Sequence, residues 1–208
     1  IADLDIAMSF AEQNGDTKEL ARIYRELGFV YLDLAMYQPA LEKLLLAKKA
    51  SERIEDKLGV AGGWMNLGNL YMRLEQNDRA IEHYKESMKL HGEIDNAIGV
   101  ARSKGNIGLS LLQLGDTKTA LEYMLDVLPL LESKGLHVDL CLANCTIAEI
   151  HYADGNYELC SEHLDRANAL ATDHHFKRGF VSIYYHLGRL AQARKECSLA
   201  QAQLESGL

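Results

Sequence analysis

Only two prolines, Pro39 and Pro129, and one tryptophan, Trp64, occur in 208 residues. So little proline, against abundant Leu, Ala, Glu, Lys and Met, excludes a turn-rich sheet protein and predicts helix almost throughout. No apolar run approaches the eighteen or so residues that a membrane span needs, and the opening IADLDIAMSF lacks the basic start of a signal peptide. Lys and Arg never exceed two in a row and the net charge is −8, so the basic footprint of a nucleic-acid binder is missing. The four cysteines, Cys141, Cys145, Cys160 and Cys197, are not needed as disulfides by a helical chain of this size and read as reduced, buried thiols, which points to a cytoplasmic setting. The first residue is Ile1 rather than Met, so the sequence is expected to be a piece of a longer protein.

What is present repeats. Shifting the chain against itself by 40 residues aligns Leu27-Gly28, Leu67-Gly68, Ile107-Gly108, Ile147-Ala148 and Leu187-Gly188. A second small residue follows each pair: Ala40, Ala80, Ala120, Cys160 and Ala200. Four residues further on come Leu44, Tyr84, Met124, Leu164 and Leu204, with Leu4 in the same register one repeat earlier. Within a unit, apolar residues recur at helical spacing, as in Leu67, Leu70, Tyr71 and Leu74 and then Ile81, Tyr84 and Met88. Polar breaks such as LEQND at 74–78 and LGDTK at 114–118 separate the two stripes. Each unit therefore reads as a helical hairpin, with small residues where two helices approach closely, and a fixed period of this size marks stacked supersecondary units.

The set Trp64, Leu67-Gly68, Tyr71, Ala80, Tyr84 resembles the tetratricopeptide repeat (TPR). Single copies depart from it, with Lys104 and Asn144 in place of the Trp and His151 and Ala191 in place of the Tyr. The resemblance implies an all-α fold, a right-handed α-solenoid of TPR helical hairpins. The second helix of a truncated repeat occupies 1–18, full repeats 19–58, 59–98, 99–138 and 139–178, and a partial or capping repeat 179–208. First helices are predicted near 19–35, 59–74, 99–114, 139–153 and 179–194, and second helices near 38–54, 78–94, 118–134 and 158–173. The last segment, GRLAQARKECSLAQAQLE, has no break where a hairpin should turn and is expected either to turn or to run on as one helix. Compared with the usual 34 residues, each unit has about six extra, roughly a turn and a half of helix. These are expected at the end of the second helix and in the link after it, where Gly59-Val60-Ala61, Gly99-Val100-Ala101 and Gly179-Phe180 open new helices. Long repeats of this kind are similar to those of Pins/LGN-type polarity adaptors, kinesin light chain and the TPR sensor regions of bacterial regulators.

Chemistry is sparse. GNIG at 105–108 lies in a helix and lacks the strand that a phosphate loop needs. Cys141, Cys145, Cys160 and His163 do not form the tight ligand pairs of a zinc site, and Cys160 is accounted for as the small packing residue of its repeat. No nucleophile, base and acid are brought together by spacing, so neither an enzyme nor a cofactor or metal protein is expected. His174-His175 reads as a solvated turn.

The TPR resemblance implies that the first helices line a concave peptide-binding face. Carried over by register, its residues are Arg22, Arg25 and Phe29; Met65, Asn66, Asn69, Met72 and Arg73; Arg102, Asn106, Leu109 and Gln113; Glu149 and Tyr152; and Tyr185 and Arg189. Asn and Gln amides can pair both groups of a peptide unit, and Arg can hold a carboxylate at two points. The alternative for Asn66 and Asn106 is that they tie adjacent helices together. The expected partner is a protein or peptide with an acidic or C-terminal carboxylate anchor near Arg22, Arg25, Arg73 and Arg102, with self-association through the open ends of the array as a further mode. A regulatory sensor responding to a peptide or small ligand is the alternative role.

Overall fold

A computed structural model describes residues 2–194. Among the described residues it consists of ten helices: α1 (Ala2–Asn14), α2 (Thr17–Asp33), α3 (Tyr37–Arg53), α4 (Lys57–Arg73), α5 (Asn77–Glu93), α6 (Ala97–Gln113), α7 (Thr117–Ser133), α8 (His137–Ala153), α9 (Tyr157–Asp173) and α10 (Lys177–Ala193). The fold is all-α and of the α-solenoid class. Contacts group it into two compact units, residues 1–110 and 111–208.

The extra residues of the 40-residue repeat are not concentrated after the second helix, as the spacing predicts. Every helix from α2 to α10 has 17 residues, and each link between two described helices is closed in the same way. A left-handed residue recurs every 20 positions: Gly15, Ala35, Glu55, Glu75, Asp95, Gly115, Gly135, Gly155 and His175. At each one two hydrogen bonds turn the chain back on the helix end, as where the Glu75 N–H reaches the Met72 carbonyl at 3.0 Å and the Gln76 N–H reaches Tyr71 at 2.9 Å. This pair of bonds is the Schellman closure, which satisfies carbonyls that a helix end leaves open. One closure used at both kinds of link makes first and second helices equal in length.

Helix starts are less uniform. Asp16, Asp56, Asn96 and Asp116 accept the N–H three residues on, at 3.0 to 3.1 Å, each such cap contributing about 1 kcal/mol. Pro39 lies in the first turn of α3, where a missing N–H leaves no bond unmade. Pro129 lies inside α7, which continues to Ser133. The last turn of α10 closes with the Arg194 N–H on Leu190, at 3.0 Å. The call on a turn or a continuous helix beyond it, with Cys197, Ala200 and Leu204, lies outside the described residues.

The small and large positions of the repeat meet within a hairpin. Ala40, Ala80 and Ala120 are fully buried and Cys160 nearly so, as are Leu44, Tyr84, Met124 and Leu164. A Cβ on Gly28 would fall 2.6 Å from Leu44 Cδ2, and one on Gly68 would fall 2.5 Å from Tyr84 Cε1. The Leu-Gly pair of the first helix is thus the seat of the large residue of the second. In residues 1–110, α1 docks on α2 through Ala11, Ile23 and Leu27. In the second unit, Ala148, Cys160, Leu164 and Leu190 form one cluster, while Cys141, Cys145, Ala167, Ala171 and Ile183 form another. Each fully buried Leu or Ile of these clusters contributes about 2 kcal/mol. Trp64 is only half-buried: the Lys48 ammonium lies 4.4 Å over its ring and His83 lies 5.3 Å from it.

Candidate functional site

In the first unit α2, α4 and α6 carry the residues assigned by register. Arg22 on α2 is exposed and already engaged by Glu19 and Glu26, one turn either side, and these hydrogen bonds raise its pKa further. Arg25 makes no ion pair among the described residues. Phe29, one turn on, is 39% exposed. Arg73 at the end of α4 reaches across to Asp33 of α2 at 3.7 Å. Two of the four arginines expected to anchor a partner's carboxylate therefore face carboxylates of their own chain. A cleft of about 250 Å³ lies beside Arg22 and Arg25, with Lys18 on the same helix and Ser51, Ile54 and Asp56 opposite.

The asparagines divide. Asn69 is half-buried and accepts the Tyr84 hydroxyl at 2.7 Å, with the Met72 sulfur 3.9 Å from the same hydroxyl. It is a tie within the α4–α5 hairpin rather than the open groove residue expected. Burial pushes the pKa of the Tyr84 hydroxyl up, so it stays a donor. Asn66 is 8% exposed yet has no hydrogen bond among the described residues, so the alternative that it ties helices together has no bond to support it. Asn106, at the same register on α6, is half-buried and likewise without one. Met65, Met72 and Leu109 are half-buried beside them, and Arg102 is exposed. The 97–110 part of α6 is held on α5 by the Ser103 hydroxyl, which donates to the Gly99 carbonyl at 2.9 Å and accepts from the Ser87 hydroxyl at 3.1 Å.

In the second unit α8 and α10 lie side by side. Arg189 is 3.4 Å from Glu149 and stacks its guanidinium 4.5 Å over Tyr152 and 5.6 Å from Tyr185. Four predicted residues thus form one cluster, with Tyr185 54% exposed. Guanidinium stacking of this kind adds to the weak attraction of a partly exposed ion pair. His186 beside it has its pKa lowered by burial first, with Glu149 and Arg189 pulling in opposite directions. Gln113, at the end of α6, is exposed and outside this cluster.

Residues that register alone does not supply include Lys18, which joins the cleft, and His83, which stacks on Tyr71 at 4.8 Å. The three described cysteines are free and buried. The Cys141 thiol faces the Ala167 carbonyl at 3.4 Å.

Residues 59–133 match the family model described as tetratricopeptide repeat. No curated protein matches the chain by sequence. Solved structures extend the likeness at the level of fold. BtubC (BKLC) from P. vanneervenii is similar with a TM-score of 0.80 at 17% identity, over 99% of this chain and 87% of its own. A Rap protein complexed with competence and sporulation factor is similar with a TM-score of 0.74 at 14% identity, over 90% of this chain and 55% of its own. The Signal Transduction ATPase with Numerous Domains protein with a tetratricopeptide repeat sensor, from Pyrococcus horikoshii, gives 0.67 at 16% identity, over 99% of this chain and 38% of its own. The chain therefore spans little more than half, or less, of the last two. The TPR resemblance read from Trp64, Leu67-Gly68, Tyr71, Ala80 and Tyr84 is met by sequence over 59–133 and by fold along the array.

Proposed function

We propose that the chain is a protein–protein interaction module whose first-helix face in residues 1–110 holds an extended peptide segment of a partner. The observation that carries this reading is unmet hydrogen-bonding capacity on one strip: Asn66 and Asn106 have no hydrogen bond, and Arg25 no ion pair, among the described residues. A peptide unit, with one C=O and one N–H, can take up the free donor and acceptor of each amide. Arg25 and Lys18 beside the cleft suit an acidic side chain or a terminal carboxylate. The proposed role needs no catalysis, cofactor or metal, and the free thiols fit a reducing, cytoplasmic setting.

A sensor role in a larger regulator is the second reading, supported by the fold shared with a protein that carries a TPR sensor and with a Rap protein bound to a factor. The test is peptide-display selection on the intact chain, followed by titration of the selected peptide against Asn66→Ala, Asn106→Ala and Arg25→Glu. Loss of affinity with unchanged melting supports the face as the site. Full affinity in all three sinks it.

A further inference from the structure

The turn His174-His175, read from the sequence as solvated, is met by a third histidine. His137, the first residue of α8, lays its ring on that of His174, the cap after α9, with centroids 3.6 Å apart and planes 10° from parallel. The start of one helix and the end of the next meet here, so the pair spans the open end of the α8–α9 hairpin. Both rings are accessible, His174 being exposed and His137 half-buried. Neither makes a hydrogen bond or an ion pair among the described residues.

Repeat packing does not ask for rings at these positions. At the same register the other hairpins carry Thr17 with Ile54, Lys57 with Ile94 and Ala97 with Lys134, and the same backbone bonds close the turns that follow Ile54, Ile94 and Lys134. The hairpin end closes without imidazoles elsewhere in the array, so the repeat does not account for this pair.

The chemistry of the rings does. A neutral imidazole offers an in-plane nitrogen lone pair and is the commonest side-chain ligand of transition-metal ions. Two nitrogens bound at about 2.0–2.1 Å to a tetrahedral ion stand about 3.3 Å apart, close to the spacing of the stacked rings. Parallel planes send both lone pairs the same way, so one ring must turn about χ2. That torsion has broad minima, and an exposed ring at a helix end has room to turn. Among the described residues no group of three or more His, Cys, Asp and Glu side chains is placed to hold an ion. The pair is therefore a two-point chelate, with water in the remaining positions.

We propose that His137 and His174 form a binding site for a divalent transition-metal ion of the imidazole-preferring class, Ni²⁺, Cu²⁺ or Zn²⁺, which staples the start of α8 to the end of α9. The hard ion Mg²⁺ prefers oxygen ligands and is not taken. The site is independent of the peptide-binding reading above. An ion held only by the folded pair stabilises the second unit by mass action.

The test titrates the intact chain with Ni²⁺, with Mg²⁺ as the control, following binding by calorimetry and melting by circular dichroism. The intact chain should take up a single Ni²⁺ and melt higher in its presence. His137→Gln and His174→Gln should each weaken the ion by about tenfold or more, because the second imidazole acts at high effective concentration, and should remove the melting shift. Both positions are accessible, and the metal-free melt of each variant shows that it is folded. His175→Gln, beside the pair but outside the stack, should bind as the intact chain does. If Ni²⁺ does not bind, or binds both stack variants with full affinity, the stack is a packing contact only and the proposal fails. If His175→Gln loses the ion while His137→Gln keeps it, the His174-His175 turn holds the ion without bridging the helices, which overturns the staple.

Discussion

Tyr84 of α5 donates its hydroxyl to Asn69 of α4 at 2.7 Å, joining the most deeply buried aromatic of the first unit to a residue at the edge of the proposed binding face. Stability and recognition are therefore not cleanly separable at position 69.

Asn69→Ala should lower stability by about 1–2 kcal/mol, because it leaves a buried hydroxyl without its acceptor. Tyr84→Phe removes the donor at the same time as the need for the acceptor. In the double variant the two losses should be less than additive, with a coupling of at least about 0.5 kcal/mol. Urea unfolding of the four proteins measures this, and strict additivity would show that the Met72 sulfur, 3.9 Å away, suffices as the partner.

Gly68→Ala should cost on the order of 1–3 kcal/mol, since its Cβ would fall 2.5 Å from the Tyr84 ring in a tightly packed hairpin. Ala80→Leu, at a fully buried position of the same hairpin, should cost a similar amount. Thermal melts of both, beside Gly62→Ala, where a Cβ would meet nothing within 4 Å, should move in opposite directions. A common direction for all three would contradict the packing described for α4 and α5.

The left-handed positions offer stabilisation. Ala35, Glu55 and Glu75 have φ of 55°, 55° and 58°, a conformation that strains an L-residue by roughly 1–2 kcal/mol. Replacing each by Gly relieves that strain but loosens the unfolded chain by about 0.4–1 kcal/mol. The net gain should be about 0.5–1 kcal/mol per site, read as a rise in the denaturation midpoint. A fall at all three sites would show that the links are not closed as described.

Stability should decline as pH drops below about 6.5, the ordinary histidine value. His163 is buried against Asn144, whose amide oxygen lies 2.8 Å from Nδ1. Its pKa is lowered first by burial and then by Arg166 and His151, with Glu162 opposing. His91 is lowered by burial as well. With the folded pKa below the unfolded one, the unfolded chain takes up protons first. The contribution is complete above the unfolded value and is lost as pH falls toward the folded one, at up to about 1.4 kcal/mol per pH unit for each group. Denaturant midpoints between pH 7.5 and 5 test this. His163→Gln should flatten the slope, and an unchanged slope would remove His163 as a source.

The repeat itself was legible in the sequence. Leu27-Gly28 with Leu44, and Leu67-Gly68 with Tyr84, recur at one spacing because a hairpin needs a small seat and a large occupant at set intervals along the chain. Helix type, the hairpin pairing and the fully buried Ala40, Ala80 and Ala120 follow from that local periodicity. Equal helix lengths did not, because the Schellman closure tolerates Ala, Glu, Asp and His at its left-handed position and so leaves no uniform glycine signal. The face was legible only as a register. Arg25 and Arg73 carry the same charge on neighbouring first helices, yet among the described residues one has no ion pair and the other reaches Asp33 forty residues away. Gly62 and Gly68 are the same residue in the same helix, one beside open space and one filled by a tyrosine ring. A period places a residue on a face, but only the packed helices decide which neighbour's side chain is long enough, and turned the right way, to reach it.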